Sequence, residues 1–164
     1  MASGKDNDLD DDADDETVIP SDLDELSHAE LRMLYHESTE TLRFVKSLQW
    51  KTVGSTLVTF AGLIFIAGFV NANKALTDKF MGISILMTLA VIFTLVLYQF
   101  WQANEHAKIE SMNKKFSSLY RSVRAHKSTR EGNIHRYTLL VFMVMSVILG
   151  VIVTHLALTR IAYT

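Results

Sequence analysis

Residues 80–101 read FMGISILMTLAVIFTLVLYQFW, twenty-two positions without a Lys, Arg, Asp or Glu. At about 1.5 Å per helical residue such a run extends about 33 Å, enough to cross a hydrocarbon core of about 30 Å. Two other runs share its character, VGSTLVTFAGLIFIAGFV at 53–70 and YTLLVFMVMSVILGVIVTHLAL at 137–158. Buried helices of a water-soluble α domain can also be apolar all round, but charge-free runs of this length mark spanning segments. The fold expected is an all-α membrane protein with three transmembrane helices.

Orientation follows from the basic residues. Eleven Lys and Arg lie between Arg43 and Lys51 and between Lys108 and Arg136, whereas the opposite side has Lys74, Lys79 and Arg160. The positive-inside bias puts the N-terminus in the cytoplasm and the C-terminus outside. Trp50, Trp101 and Tyr137 fall at the inner boundary of their runs, where amphipathic rings prefer the headgroup layer. No apolar stretch before Trp50 resembles a cleavable signal peptide, so the first span is expected to act as its own insertion signal. The location expected is a bacterial inner membrane. The chain has no cysteine, which excludes disulfides, thiolate metal sites and palmitoylation.

A formal net charge of −2 conceals a strong division. Residues 1–26 hold eleven acids against Lys5, and the remainder holds fifteen Lys and Arg against seven acids. So many like charges with few apolar residues do not offset ordering entropy by burial, and residues 1–22 are expected to form a disordered acidic tail. The alternating acids of Asp6-Asn7-Asp8-Leu9-Asp10 resemble the start of a calcium loop. The pattern then fails, with Asp11 where the turn glycine belongs and Thr17 where a bidentate Glu belongs. The tail can instead meet basic surface on its own chain or on a partner.

Ser27-His28-Ala29-Glu30 has the form of a capping box, and no Pro or Gly interrupts the chain from there to Val53. An amphipathic helix is therefore expected over 23–52, running into the first span. Leu42, Val45 and Leu48 belong to its apolar stripe, and Ile109, Met112 and Phe116 form a second one at spacings of three and four on the basic segment 102–136. The first two spans are joined by a short outer loop, 71–79, so they are antiparallel neighbours. Their stripes are expected to pair as a cytoplasmic antiparallel helical hairpin extending both spans, in preference to lying flat on anionic lipid. Gly132-Asn133 should end the second extension and cap the helix of the third span, with 159–164 a short outer tail.

Within the spans, Gly54, Ala61 and Gly68 recur every seven residues and Ser146, Gly150 and Thr154 every four, the small-residue spacing that lets helices approach closely. Association beyond one chain, in a homo-oligomer or larger membrane complex, is the expectation. No intramembrane Lys, Arg, Asp or Glu signals a proton relay or voltage sensor. His155, one turn from an outer end, is an interfacial hydrogen-bonding residue or a ligand for haem, copper or quinone. His36 with Glu40 and His106 with Glu110 are spaced i, i+4, beside Glu37 and Glu105. This is a carboxylate–imidazole set able to hold a divalent metal only if the two extensions bring it together.

The chain has no Gly-x-Ser-x-Gly, phosphate loop, dinucleotide glycine signature or cysteine nucleophile, so no enzyme activity and no cofactor are expected. Nor is nucleic acid, because no aromatics interleave with the basic residues. The function expected is that of a non-enzymatic accessory or scaffolding subunit, bound to membrane lipids and to a membrane or cytoplasmic protein partner. The alternatives are a small ion-conducting or membrane-permeabilising oligomer, lined by Ser84, Thr88, Ser146 and Thr154, and a metal- or cofactor-binding subunit.

Overall fold

A computed structural model of the chain describes residues 19–125 and 129–163. The acidic segment 1–18, with its calcium-loop pattern, lies outside the described residues. Four helices follow one another, α1 (Glu25–Phe69), α2 (Lys74–Asn113), α3 (Ser118–Ala125) and α4 (Thr129–Ala162), and no strand occurs among the described residues. α1, α2 and α4 are about 68, 60 and 51 Å long at 1.5 Å per residue. Each carries a segment long and apolar enough to cross a membrane.

Each long helix contacts the other two, forming a three-helix bundle with one central seam. The seam is laid out at helical spacing, by Val45, Gln49, Val53, Thr56 and Phe60 on α1 and by Thr88, Val91, Leu95, Gln99 and Gln102 on α2. Met143 and Val147 of α4 close its apolar centre against Val53, Phe60, Val91 and Leu95. A second cluster of Ala67, Ala72 and Leu158 closes the end near the α1–α2 turn.

Beside this apolar centre the apolar segments also bury hydroxyls and leave many large apolar side chains outside, whereas in a water-soluble bundle such side chains concentrate inside. Thr56, Thr77, Ser84, Thr88 and Thr154 are buried, whereas Val58, Phe65, Leu86, Leu89, Phe93 and Leu156 stand on the outer surface. Thr56, Thr88 and Thr154 donate to the carbonyls four residues earlier at 2.7, 2.8 and 2.8 Å, so these hydroxyls are satisfied within their own helices.

The link between the first two long helices is tighter than the loop 71–79 expected from sequence. Asn71 adopts φ 47°, a left-handed conformation that Asn tolerates better than most residues. Ala72 N–H donates to Ala67 O at 2.9 Å and Asn71 N–H to Gly68 O at 3.3 Å, the paired bonds of a Schellman ending. Asn73 then caps α2, accepting from Leu76 N–H at 3.0 Å. The turn is thus Val70–Asn73, and residues 74–79 are already helical.

Three other boundaries differ from their expected places. α1 starts at Glu25 with Asp24 as its N-cap, so Ser27 and Glu30 lie inside the first turns and not at the ends of a capping box. Ser27 hydrogen-bonds the Asp24 carboxylate and holds it below its ordinary value. α2 stops at Asn113, and α3 begins separately, with Ser117 Oγ accepting from Tyr120 N–H at 3.4 Å. Gly132-Asn133 falls within α4 and ends nothing. A single Gly in a helix costs about 1 kcal/mol relative to Ala, too little to terminate one that continues into a long apolar segment.

Candidate functional site

α1 and α2 remain in contact where their apolar segments give way to polar sequence, and there the seam changes chemistry. Gln102 Nε2 donates to Gln49 Oε1 at 2.8 Å, both side chains being buried. One turn further, buried Glu105 accepts from Lys108 Nζ at 2.7 Å. Lys108, with a smaller effect from Ser38 on α1, holds the Glu105 carboxyl below its ordinary value against the opposing effect of burial. Gln99 Nε2 is buried here without a partner. A hydrogen-bonded amide pair fixes the rotation of one helix against the other, because any other register leaves buried polar groups unpaired.

The far end of this extension is aromatic. Phe116, in the turn after α2, packs against Tyr120 with ring centroids 4.7 Å apart and meets Tyr35 and His28 of α1 edge-on at 6.1 and 5.9 Å. The segment ahead of α1 is pinned to the same turn. Ile19 N–H donates to Ser118 Oγ at 2.9 Å, Ser118 N–H donates to Ile19 O at 3.1 Å, and Ser21 Oγ donates to Lys115 O at 3.0 Å. Between strap and aromatics lies an open cleft of about 580 Å³, lined by Pro20, Tyr35, Phe116 and Tyr120 with Arg32 and His28.

Of the residues singled out for the hairpin, Val45, Ile109 and Met112 are buried, and Leu42, Leu48 and Phe116 are half-buried. The two small-residue stripes behave differently. A Cβ at Gly150 would stand 2.6 Å from Leu57 Cδ2 and 3.1 Å from Phe60 Cδ2, so this groove is filled by α1 of the same chain. Thr154 is buried and Ser146 half-buried beside it. Gly54, Ala61 and Gly68 are exposed, and a Cβ at either glycine would meet nothing within 4 Å. Each lies one residue after a seam residue, Val53, Phe60 or Ala67, which turns the stripe about 100° away from the bundle.

The histidines do not converge. His36 and Glu40 form an exposed contact at 3.3 Å, while His106 and Glu110 are exposed and Glu105 points into the seam between the helices. No group of three His, Asp or Glu positioned for a metal occurs among the described residues. His155 Nε2 lies 3.0 Å from Ser84 Oγ, whose proton is directed to Met81 O at 2.8 Å. This pair ties α4 to α2. Of the hydroxyls named as pore-lining, Ser84, Thr88 and Thr154 are enclosed in the bundle.

Sequence reasoning missed the structural part taken by Gln49, Gln102 and Glu105. Their signal was present, since the spacing of three and four runs unbroken from Leu95 through Gln99, Gln102, Glu105 and Ile109 to Met112. A periodicity counted on apolar residues alone skips these positions.

The Glu105 arrangement carries a pH prediction. Its carboxyl is depressed from 4.5, so the stability it contributes is fully present above the unfolded value and is lost as pH falls through the folded one. Thermal unfolding of the wild type in mild detergent should show a steeper loss below about pH 4.5 than that of Glu105→Gln, with the two curves converging in acid. Parallel curves throughout would place no such linkage on Glu105.

Comparison of the chain with protein-family models, with curated proteins and with solved structures finds no match.

Proposed function

We propose that this chain is a non-enzymatic, three-span membrane subunit that acts by association. Its N-terminus is cytoplasmic and its C-terminus outside, in an inner membrane of bacterial type. The spans anchor it among lipids, and the joined extensions of α1 and α2 form a cytoplasmic hairpin that presents a stiff surface to a protein partner. The observation that carries this reading is the buried Gln49–Gln102 pair with Glu105 and Lys108 beyond it. Such a layer holds two helices in one register past the apolar segments. A simple anchor has no need of a register-locked projection.

Two surfaces support the association. In the membrane, the open stripe of Gly54, Ala61 and Gly68 suits close approach of another span. On the cytoplasmic side, Leu26 and Met33 of α1 and Leu119 and Val123 of α3 are exposed, apolar side chains of the kind that interfaces cover.

Extraction in mild detergent followed by mass spectrometry of the intact assembly tests the proposal. The expected result is a discrete mass above one protomer, either a homo-oligomer or a complex with one stoichiometric partner. A monodisperse protomer with no partner, or conductance from the purified chain in planar bilayers, would contradict it.

A further inference from the structure

Two buried donors near the amide layer have no acceptor, and the helix register brings them to neighbouring levels. The inward stripe of α4, Leu140, Met143 and Val147, extends one turn toward the start of that helix, where the residue is Arg136. The contact between Ser84 and His155 sets the level. Arg136 is nineteen residues before His155, and position 103 is nineteen after Ser84 on the antiparallel α2. Arg136 therefore stands level with Gln102 and its partner Gln49, and Gln99 lies one turn nearer the apolar centre.

Gln99 is 8% exposed with its Nε2 unpartnered, and the half-buried Arg136 has its Nε enclosed and unpartnered. The Arg136 guanidinium carbon sits 5.2 Å from the centroid of the Tyr137 ring, a cation–π contact that orients the charge without neutralising it. Arg136 makes no ion pair among the described residues. Enclosed donors without acceptors are costly, and a charged one more so. The layer is therefore completed by an acceptor, and the charge on Arg136 favours an anion.

The charge around this level agrees. Glu105 is the nearest carboxylate, and Lys108 and Ser38 already hold it. Glu110 is eight residues, about 12 Å, beyond Gln102, and Glu40 is nine residues, about 14 Å, beyond Gln49. Both are exposed. α4 has no acid from Ile134 to Ala162, whereas Arg43, Lys46 and Lys51 lie within two turns of Gln49 on α1. Trp50, Trp101 and Tyr137 stand on the outer surface nearby, rings of the kind that settle at headgroup depth.

We propose that the inner mouth of the bundle, at Arg136 and Gln99, is a binding site for the phosphate of an anionic lipid. The site rests on the membrane reading above, which brings headgroups to this depth. The planar fork of Arg136 suits phosphate oxygens, and the Gln99 amide closes the enclosed side. Basic pockets between spans on the cytoplasmic side recognise headgroups in this way. The consequence is structural as well. His155 ties α4 to α2 near the outer end, and the bound phosphate supplies the corresponding tie at the inner end, beside the register-locked hairpin.

The full chain in an uncharged maltoside detergent is titrated with phosphatidylglycerol, with phosphatidylcholine and with inorganic phosphate. Native mass spectrometry counts what each protomer retains, and helicity melts follow stability. One phosphatidylglycerol should be retained per protomer and should raise the melting temperature. Arg136→Gln should weaken retention about tenfold or more, as expected for a lost hydrogen bond to a charged group. Gln99→Leu should also weaken it while leaving the lipid-free protein no less stable, because the orphaned amide is gone. Lys46→Gln, an exposed charge near the same level, should change retention by less than about twofold. Equal losses in Lys46→Gln and Arg136→Gln would mean diffuse attraction and overturn the site. So would equal retention of phosphatidylcholine, or an equal rise in melting temperature with inorganic phosphate alone. A chain monodisperse without detergent would refute the membrane reading itself, whereas a detergent-requiring chain that retains no phosphatidylglycerol would refute the site alone.

Discussion

Replacing Gly150 by Leu should destabilise the three-helix unit by about 1–3 kcal/mol, the range of overpacking in a close-packed interior. Even a Cβ at this position would meet Leu57 at 2.6 Å and Phe60 at 3.1 Å. Leu57 is 37% exposed and can swing its tip outward, but Phe60 is 2% exposed and wedged into the core with Val53, Leu95 and Met143. Gly150→Ala should therefore be mild and Gly150→Leu severe. Gly54→Leu extends into open space and should leave protomer unfolding within about 0.5 kcal/mol of wild type. In the intact assembly the roles reverse, because Gly54→Leu obstructs the outward stripe that the proposed association uses. Helicity melts in mild detergent measure the first effect and native mass spectrometry the second. A destabilised Gly54→Leu protomer beside an unchanged Gly150→Leu protomer would mean that the two stripes have been assigned to the wrong sides.

That contrast shows where sequence reasoning was sufficient and where it stopped. Length and the absence of charge at 53–70, 80–101 and 137–158 determine three apolar helices, because few folded states satisfy twenty such residues in succession. They do not determine which face turns inward. An amphipathic helix announces its face through hydrophobic periodicity, but a helix that is apolar all round carries no such signal. Both small-residue stripes looked alike on that basis, and only packing distinguished Gly150, against α1, from Gly54, on the outside.

The ends of the helices were legible to different degrees for a related reason. Asn71 and Asn73 carry their turn chemistry in their own side chains, yet two asparagines flanking an Ala do not state which one is left-handed and which one caps. The break after Asn113 was missed because no Gly or Pro marks it. Its determinants are the Ser117 cap and the long-range strap from Ile19 and Ser21. A contact between residues 99 apart in sequence leaves no local trace.

Membrane insertion would also explain why hydroxyls and amides share the interior while many large apolar side chains stand outside. In lipid there is no hydrophobic gain from burying Leu or Phe, so close packing of small and hydroxyl-bearing residues and hydrogen bonds between helices become the main adhesive terms. Ser84 with His155 and Gln49 with Gln102 join α2 to its two neighbours. Large apolar side chains such as Phe65, Leu86 and Phe93 are left outside, where the proposed membrane would accommodate them.

Membrane insertion with the N-terminus inside is the claim on which the functional account rests, and thiol labelling in whole cells tests it most directly. Single cysteines at Ala75, Leu89 and Ser111 sample the turn end of the bundle, the outer face of its apolar segment and the polar extension, and all three positions are exposed. With a membrane-impermeant maleimide, Ala75→Cys should label in intact cells and Ser111→Cys only after permeabilisation. Leu89→Cys should label in neither case despite its exposure on the bundle. Labelling of Leu89→Cys as fast as Ser111→Cys would show that water, not lipid, surrounds the apolar surface, and labelling of Ser111→Cys in intact cells would reverse the orientation.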